Sequence, residues 1–597
     1  MYNPKSGKAT EFIDDREILD SLEYAQKNKN NKEVIDAILE KASAMKGISH
    51  REAAVLLECE LEEENKKIEK LAKEIKQRFY GNRIVMFAPL YLSNYCVNGC
   101  TYCPYHHCNE HIRRKKLTQD EIRDEVIALQ DMGHKRLAIE AGEDPVNNPI
   151  EYILESIKTI YSIKHKNGAI RRVNVNIAAT TVENYQKLHD AGIGTYILFQ
   201  ETYNKESYEK LHPTGPKHNY DYHTEAMDRA MEGGIDDVGL GVLFGLEMYR
   251  YELVGIIMHA EHLEAKFGVG PHTISVPRIC PADDIDPGEF TNAISDEIFE
   301  KIVAVIRIAV PYTGMIVSTR ESQKTREKVL GLGISQISGG SRTSVGGYVE
   351  EEKEEDNSAQ FDVSDRRTLD EVVNWLLELG YIPSFCTACY REGRTGDRFM
   401  KLLKSGQIVN CCQPNALMTL KEYLEDYASD DTKQKGEKVI QRELEVITNP
   451  TVKEKAREYI ENIHEGQRDF RFQNKCIGSN NWRNGSYREI TPVSVNCQTI
   501  SLGIQRQMNG KSAEFSFDIN KSHKTVFVVF RSRHIKFDAA QTKMVYSTFY
   551  GITSDSDMSV GSCSRCFHYF DFFAAEIRYV DIFLRETKHS SESVCSI

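Results

Sequence analysis

A chain of 597 residues with 40% hydrophobic content is too long for one ordinary core, and a formal charge of -13 argues against a nucleic-acid surface, short of a local basic patch. Two or three structural units working on small ligands are expected. The opening stretch MYNPKSGKATEFIDDREILD lacks the apolar core of a signal peptide, and no apolar run is long enough to span a bilayer, so a cytoplasmic protein without membrane contact is expected. In a reducing compartment the 15 cysteines are read for metal or catalysis before disulfides.

Residues 1–82 read as an N-terminal helical region, because apolar positions such as Val34, Ile35, Ile38 and Leu39 recur at helical spacing among Lys and Glu. From Arg83 the texture changes to short apolar runs, each followed by a helical stretch: IVMFAPL, LAIEAG, VNVNIAA, YILFQ, DVGLGVLFGL, HTISVP and MIVST. That alternation predicts an α/β fold, a TIM-like (β/α)8 barrel over 83–349 with helical N- and C-terminal extensions. The acidic run Glu350–Asp356 reads as a solvated loop. Residues 350–472 then carry a helical stretch with Trp375, a cysteine segment and charged helices. The tail, 473–597, turns aromatic and Ser-rich with no strand or helix pattern that pairs with a barrel; it is expected to be loosely packed or disordered, with no assigned role. Its Cys563 and Cys566 form a C-x2-C with no second pair of ligands at a useful spacing, and read as coincidence.

Two cysteine constellations carry chemistry. In NYCVNGCTYCPYHHC, Cys96, Cys100 and Cys103 form C-x3-C-x2-C directly after the first predicted strand. Three thiolates this close can hold three irons of a [4Fe-4S] cube and leave the fourth open to a chelating ligand. The alternative is a zinc knuckle completed by Cys108, His106 or His107. A barrel enzyme places its chemistry after its strands, which favours the cluster and leaves Cys108 as a packing thiol. Further along, Cys386, Cys389 and Cys412 form C-x2-C-x22-C, which suits a second cluster or a zinc site, with Cys411 facing elsewhere.

The first triplet, with Tyr102 before its last cysteine, resembles the radical-SAM superfamily. The resemblance implies that S-adenosylmethionine (SAM) chelates the open iron and that one electron then yields a 5′-deoxyadenosyl radical. Three stretches resemble SAM-contacting motifs: Ala141, Gly142 and Glu143 for the ammonium, Glu201 for the ribose, and Gly239 and Gly241 in GLGVLFGL for the adenine and backbone. The second triplet narrows the resemblance, over about residues 1–472, to the HydG family of tyrosine lyases, because the related ThiH family lacks that C-terminal arrangement.

That resemblance implies cleavage of the Cα–Cβ bond of L-tyrosine to p-cresol and dehydroglycine. The small fragment becomes CO and cyanide for [FeFe]-hydrogenase assembly. The auxiliary cluster would carry an additional iron held by His272, with cysteine as a further ligand. Implied partners are a reductant protein such as ferredoxin or flavodoxin and the other hydrogenase maturases. Arg320, ending MIVSTR, can pair with the substrate carboxylate, and the loop SGGSRTS offers the Ser341 hydroxyl. Competing readings are a ThiH-like lyase for thiazole synthesis, whose second triplet binds no cluster, and a non-enzymatic two-cluster electron carrier or scaffold.

Overall fold

The computed structural model describes residues 1–350, 358–404, 406 and 409–472, together with the strands 499–508, 511–520 and 525–532. The chain forms two compact units, Met1–Gly478 and Ser479–Ile597.

The first unit is built on eight parallel strands: β1 (Arg83–Ser93), β2 (Arg136–Ala141), β3 (Arg172–Asn176), β4 (Tyr196–Ile197), β5 (Val238–Gly241), β6 (Thr273–Ser275), β7 (Gly314–Val317) and β8 (Gln336–Ser338). They pair in sequence order, and β8 returns to β1 with Val85 opposite Gln336 and Phe87 opposite Ser338, which closes the barrel. β9 (Ile382–Ser384) adds to the first residues of β1, Arg83 opposite Ile382, and so lies at the base. Helix starts between the strands are fixed locally: Thr118 with Glu121, and Thr368 with Glu371, are reciprocal capping boxes.

Residues 1–82 form the helical layer that the periodicity predicts, as Ala9–Phe12, Asp15–Asn28, Lys32–Ser43, His50–Glu58 and Glu62–Tyr80. Their apolar faces pack on the barrel helices Tyr249–Phe267 and Asp296–Ala309. This explains why Tyr249–Phe267 is buried almost all round, polar His259, His262 and Glu252 included. His262 donates from one ring nitrogen to the Pro4 carbonyl and bonds Asp228 at 2.7 Å through the other. Phe12, Ile35, Val55, Leu56 and Ile75 are all fully buried here, each contributing roughly 1.5–3 kcal/mol. The layer is therefore part of the barrel's core.

The segment after the barrel ends by locking onto the cysteine region. Asp469 accepts from Arg391 at 2.7 Å, Asn415 Oδ1 accepts from the Phe472 N–H at 2.7 Å, and Arg394 donates to the Phe472 carbonyl at 3.1 Å. For the activity and second cluster that the family resemblance implies, truncation after Phe472 should preserve p-cresol and CO formation, whereas truncation after His464 should cost that cluster. Product assays and iron counts on the two truncations check this. Loss of p-cresol from the longer one would show that the tail serves the active site.

The second unit corrects one expectation. Described residues of the tail do form strands: β10 (Thr499–Met508), β11 (Lys511–Asn520) and β12 (Thr525–Ser532) make an antiparallel sheet. The signal was present as period-two alternation, since the ladder sets Ile500 opposite Ile519 and Leu502 opposite Phe517, and Phe517 opposite Val528. The residues joining Met508 to Lys511 are Asn-Gly, the dipeptide that two-residue hairpins favour. The rest of the tail, including Cys563 and Cys566, and the acidic run beyond Glu350 lie outside the described residues. Among the described residues no helix is long and apolar enough to cross a membrane.

Candidate active site and auxiliary metal centre

Every barrel strand but the last delivers a side chain to one cavity at the C-terminal mouth. Cys96, Cys100 and Cys103 follow β1, Glu140 to Glu143 end β2, Asn176 ends β3, Glu201 follows β4, Leu243 follows β5, Cys280 follows β6 and Arg320 follows β7; all line it. This is the face on which barrel enzymes assemble chemistry.

The cysteine loop is pinned from two sides. Gly99 and Thr101 donate their N–H groups to the carbonyls of Thr214 and Leu211, and Val97 N–H donates to Glu143 O at 2.8 Å. Asn98 Nδ2 donates to Glu143 Oε2 at 2.7 Å and reaches Cys96 Sγ at 3.7 Å. Gly142 has to be glycine, because a Cβ there would stand 2.3 Å from the Tyr95 carbonyl and 3.0 Å from Cys96 Cβ. The AGE turn thus presses directly on the cysteine loop. Tyr102 is oriented by His212, which sequence reasoning missed. His212 donates from Nδ1 to the Tyr208 carbonyl at 2.7 Å, so its Nε2 must accept from the Tyr102 hydroxyl, also at 2.7 Å.

Electrostatics fit these residues to a cation-rich cluster. Burial pushes the Cys100 thiol up to about 11 and raises Cys103 further, with the neighbouring sulfurs adding to both. Such thiols deprotonate only against positive charge, which iron bound there would supply. Burial works against the charge of Lys217, but the Glu201 carboxylate at 2.8 Å and the Cys100 sulfur outweigh it and keep the ammonium charged. Glu201 itself holds φ at +67°, a left-handed conformation that costs a non-glycine residue about 1–3 kcal/mol. The Lys217 pair and a bridge to Val242 hold it there. Glu140, also unforeseen, is an interior carboxyl that burial raises well above the ordinary range, against a smaller opposing effect of Asn176 and Arg320.

Other expected residues fall less neatly. Gly239 and Gly241 lie along β5 and do not line the cavity; a Cβ on Gly239 would stand 2.5 Å from Thr273 Oγ1, and one on Gly241 2.3 Å from Phe199. Ser341 is buried with its hydroxyl unpartnered among the described residues and is not part of the lining. Cys108 is exposed, with Sγ 3.2 Å from His107 Nε2, so it does not pack. The Arg320 guanidinium stacks 3.7 Å over the Phe361 ring.

The second cysteine group is assembled at the opposite end. Cys386 and Cys389 follow β9, Arg136 at the start of β2 donates to the Cys386 carbonyl at 2.9 Å, and Arg172 at the start of β3 lies 3.6 Å over the Tyr390 ring. Cys412 comes from the helix Val409–Asp426. Cys389 and Cys412 share a hydrogen bond that lowers Cys389, helped by the Arg394 charge, and raises Cys412, helped by burial; burial also pushes Cys386 up to about 11. His272, just before β6, packs its ring 4.9 Å from Phe399 and places Nε2 3.4 Å from the Tyr390 hydroxyl. Burial keeps it neutral, as a metal ligand must be, and its Nδ1 stands 3.3 Å from Asp237. Among the described residues no three His, Cys, Asp or Glu side chains converge as ligands of a single ion would. A cluster places its thiolates on separate irons and needs no such convergence.

Comparison with known proteins agrees with this arrangement. The family described as the Radical SAM superfamily matches residues 90–254, and the Biotin and Thiamin Synthesis associated domain matches residues 275–382. A crystal structure of HydG, a maturase of the [FeFe]-hydrogenase, is 59% identical and superposes with a TM-score of 0.75 over 77% of this chain and 100% of that one. The chain belongs to the HydG family. HydG from Carboxydothermus hydrogenoformans is 39% identical, with a TM-score of 0.65 over 76% of this chain and 99% of its own. A more distant relative, the 2-iminoacetate synthase of Salmonella typhimurium, is 28% identical over 52% of this chain and 80% of its own. Membership in HydG and the radical-SAM superfamily implies a [4Fe-4S] cluster and SAM.

Proposed function

We propose that this chain is a radical-SAM tyrosine lyase that cleaves L-tyrosine to p-cresol and dehydroglycine and converts the latter to CO and cyanide for [FeFe]-hydrogenase assembly. The observation that carries this reading is the placement of two thiol triplets at opposite ends of one closed barrel. Radical formation and product capture are thereby kept a strand's length apart.

Cys96, Cys100 and Cys103 would hold the first cluster, and Cys386, Cys389 and Cys412 the auxiliary one, with His272 on its additional iron. Bound to the first cluster, SAM supplies the 5′-deoxyadenosyl radical. The chain's own residues do the rest by position and charge. Gly142 and Glu143 offer backbone acceptors to the SAM ammonium, Glu201, steadied by Lys217, faces the ribose, and Tyr102 is clamped by His212. Arg320 is the cavity cation without an ion-pair partner among the described residues, and it is suited to the substrate carboxylate. Glu140, kept neutral by burial, adds no competing negative charge beside it. The closed barrel excludes water from a radical and a labile imine.

Free cysteine as an iron ligand, a reductant of the ferredoxin or flavodoxin kind and the other maturases belong to the same reading. Arg320 gives the direct test of substrate placement. Arg320→Gln should raise KM for tyrosine roughly tenfold or more, while SAM cleavage without tyrosine stays near the wild-type rate. An unchanged KM would place the carboxylate elsewhere.

A further inference from the structure

Beside the auxiliary cysteines lies a buried cation that faces their sulfurs. Arg394 sits in the turn that leaves Cys389, its N–H donating to the Cys389 carbonyl at 2.7 Å, and positive φ at Gly393 and Gly396 folds this turn back under the barrel. The residue is 1% exposed. Nη1 donates to the Phe472 carbonyl at 3.1 Å, whereas Nε and Nη2 are buried with no hydrogen-bond partner among the described residues. Among neighbouring arginines, Arg391 is satisfied by Asp469, Arg471 by Glu392, and Arg83 by Gln413 and the Phe79 carbonyl, while Arg136 and Arg172 each leave only Nε open. The anionic groups acting on Arg394 are the sulfurs of Cys389, Cys411 and Cys412. A fully buried guanidinium with two open donor nitrogens is tolerated when the missing partner is itself anionic and buried.

We infer that Arg394 is a positioning residue for the auxiliary cluster, donating its two open nitrogens to the sulfur atoms on the Cys389–Cys412 side and setting the cluster's reduction potential through its charge. The inference rests on the second triplet holding a cluster. Three thiolates and the bridging sulfides leave the group net negative, and each added electron increases that charge. A fixed cation beside it favours the reduced form, and hydrogen bonds to sulfur act in the same direction. Because Arg394 also holds the Phe472 carbonyl, the end of the described segment after the barrel is tied to the same group.

The test uses the reconstituted full-length chain, Arg394→Gln and Arg394→Lys, with iron counting and reductive titration of both clusters by paramagnetic resonance. Arg394→Gln should keep the first cluster's titration unchanged as an internal control. The second cluster's reduced-to-oxidised ratio at a fixed potential should fall at least tenfold, a shift of about 59 mV for one electron. Arg394→Lys, which keeps the charge, should retain the second cluster and shift it less, and it decides the matter if the Gln variant fails to load that cluster. Full loading of Arg394→Gln with an unshifted second titration would overturn the assignment, as would loss of the second cluster from Arg394→Lys. A wild-type chain that takes up only one cluster would instead overturn the second site itself, and this inference with it.

Discussion

Replacing Cys96, Cys100 or Cys103 singly by Ala is expected to abolish both 5′-deoxyadenosine and p-cresol, by on the order of 100-fold or more. The three thiols sit in one loop and line one cavity, and no other cysteine of that loop can substitute: Cys108 is exposed and turned to His107. Cys108→Ala is therefore the control, with both products retained. Chromatography of the reaction mixture reads both. Persistence of 5′-deoxyadenosine in any of the three variants would contradict the assignment of the first cluster.

Cys386→Ala separates the two ends of the barrel. It removes a thiol at the base, whose partners are the Ala388 N–H and the charges of Cys389 and Arg136, and touches nothing in the cavity at the mouth. p-Cresol formation should therefore stay near wild type while CO and cyanide release falls roughly tenfold or more, together with the second cluster's paramagnetic signal. If CO release survived with that signal gone, the base of the barrel would not be where the fragment is converted.

Much of this was legible in the sequence because it is carried by local signals. Seven of the barrel strands announced themselves as apolar runs, and the cysteine spacings are unbroken patterns. β8 (Gln336–Ser338) did not, because its three residues sit in a Gly- and Ser-rich stretch and gain their strand conformation from pairing with β1. β9 was hidden for the same reason: Ile382–Ser384 contains Pro383 and is defined by its register on Arg83–Val85.

In the site, residues next to a motif in sequence were found, and residues brought by long-range packing were not. Lys217, His212 and Arg394 belong to no motif; their roles come from Glu201, Tyr102 and Phe472, partners that sequence spacing does not reveal. The reverse holds for Gly239 and Gly241, whose texture suggested ligand contact and whose place is strand packing. In the tail, TISLGI and EFSFDI alternate apolar and polar residues at the strand period, a signal overlaid by the density of aromatic residues around it.

The most direct test of the account is anaerobic incubation of the reconstituted chain with SAM, dithionite and L-tyrosine, with 5′-deoxyadenosine, p-cresol and CO quantified in the same sample. The account predicts all three, with CO appearing after p-cresol and only in protein that carries both clusters. p-Cresol without CO from fully loaded protein would mark a 2-iminoacetate synthase, and the absence of 5′-deoxyadenosine from protein holding both clusters would mark an electron carrier; either would contradict it.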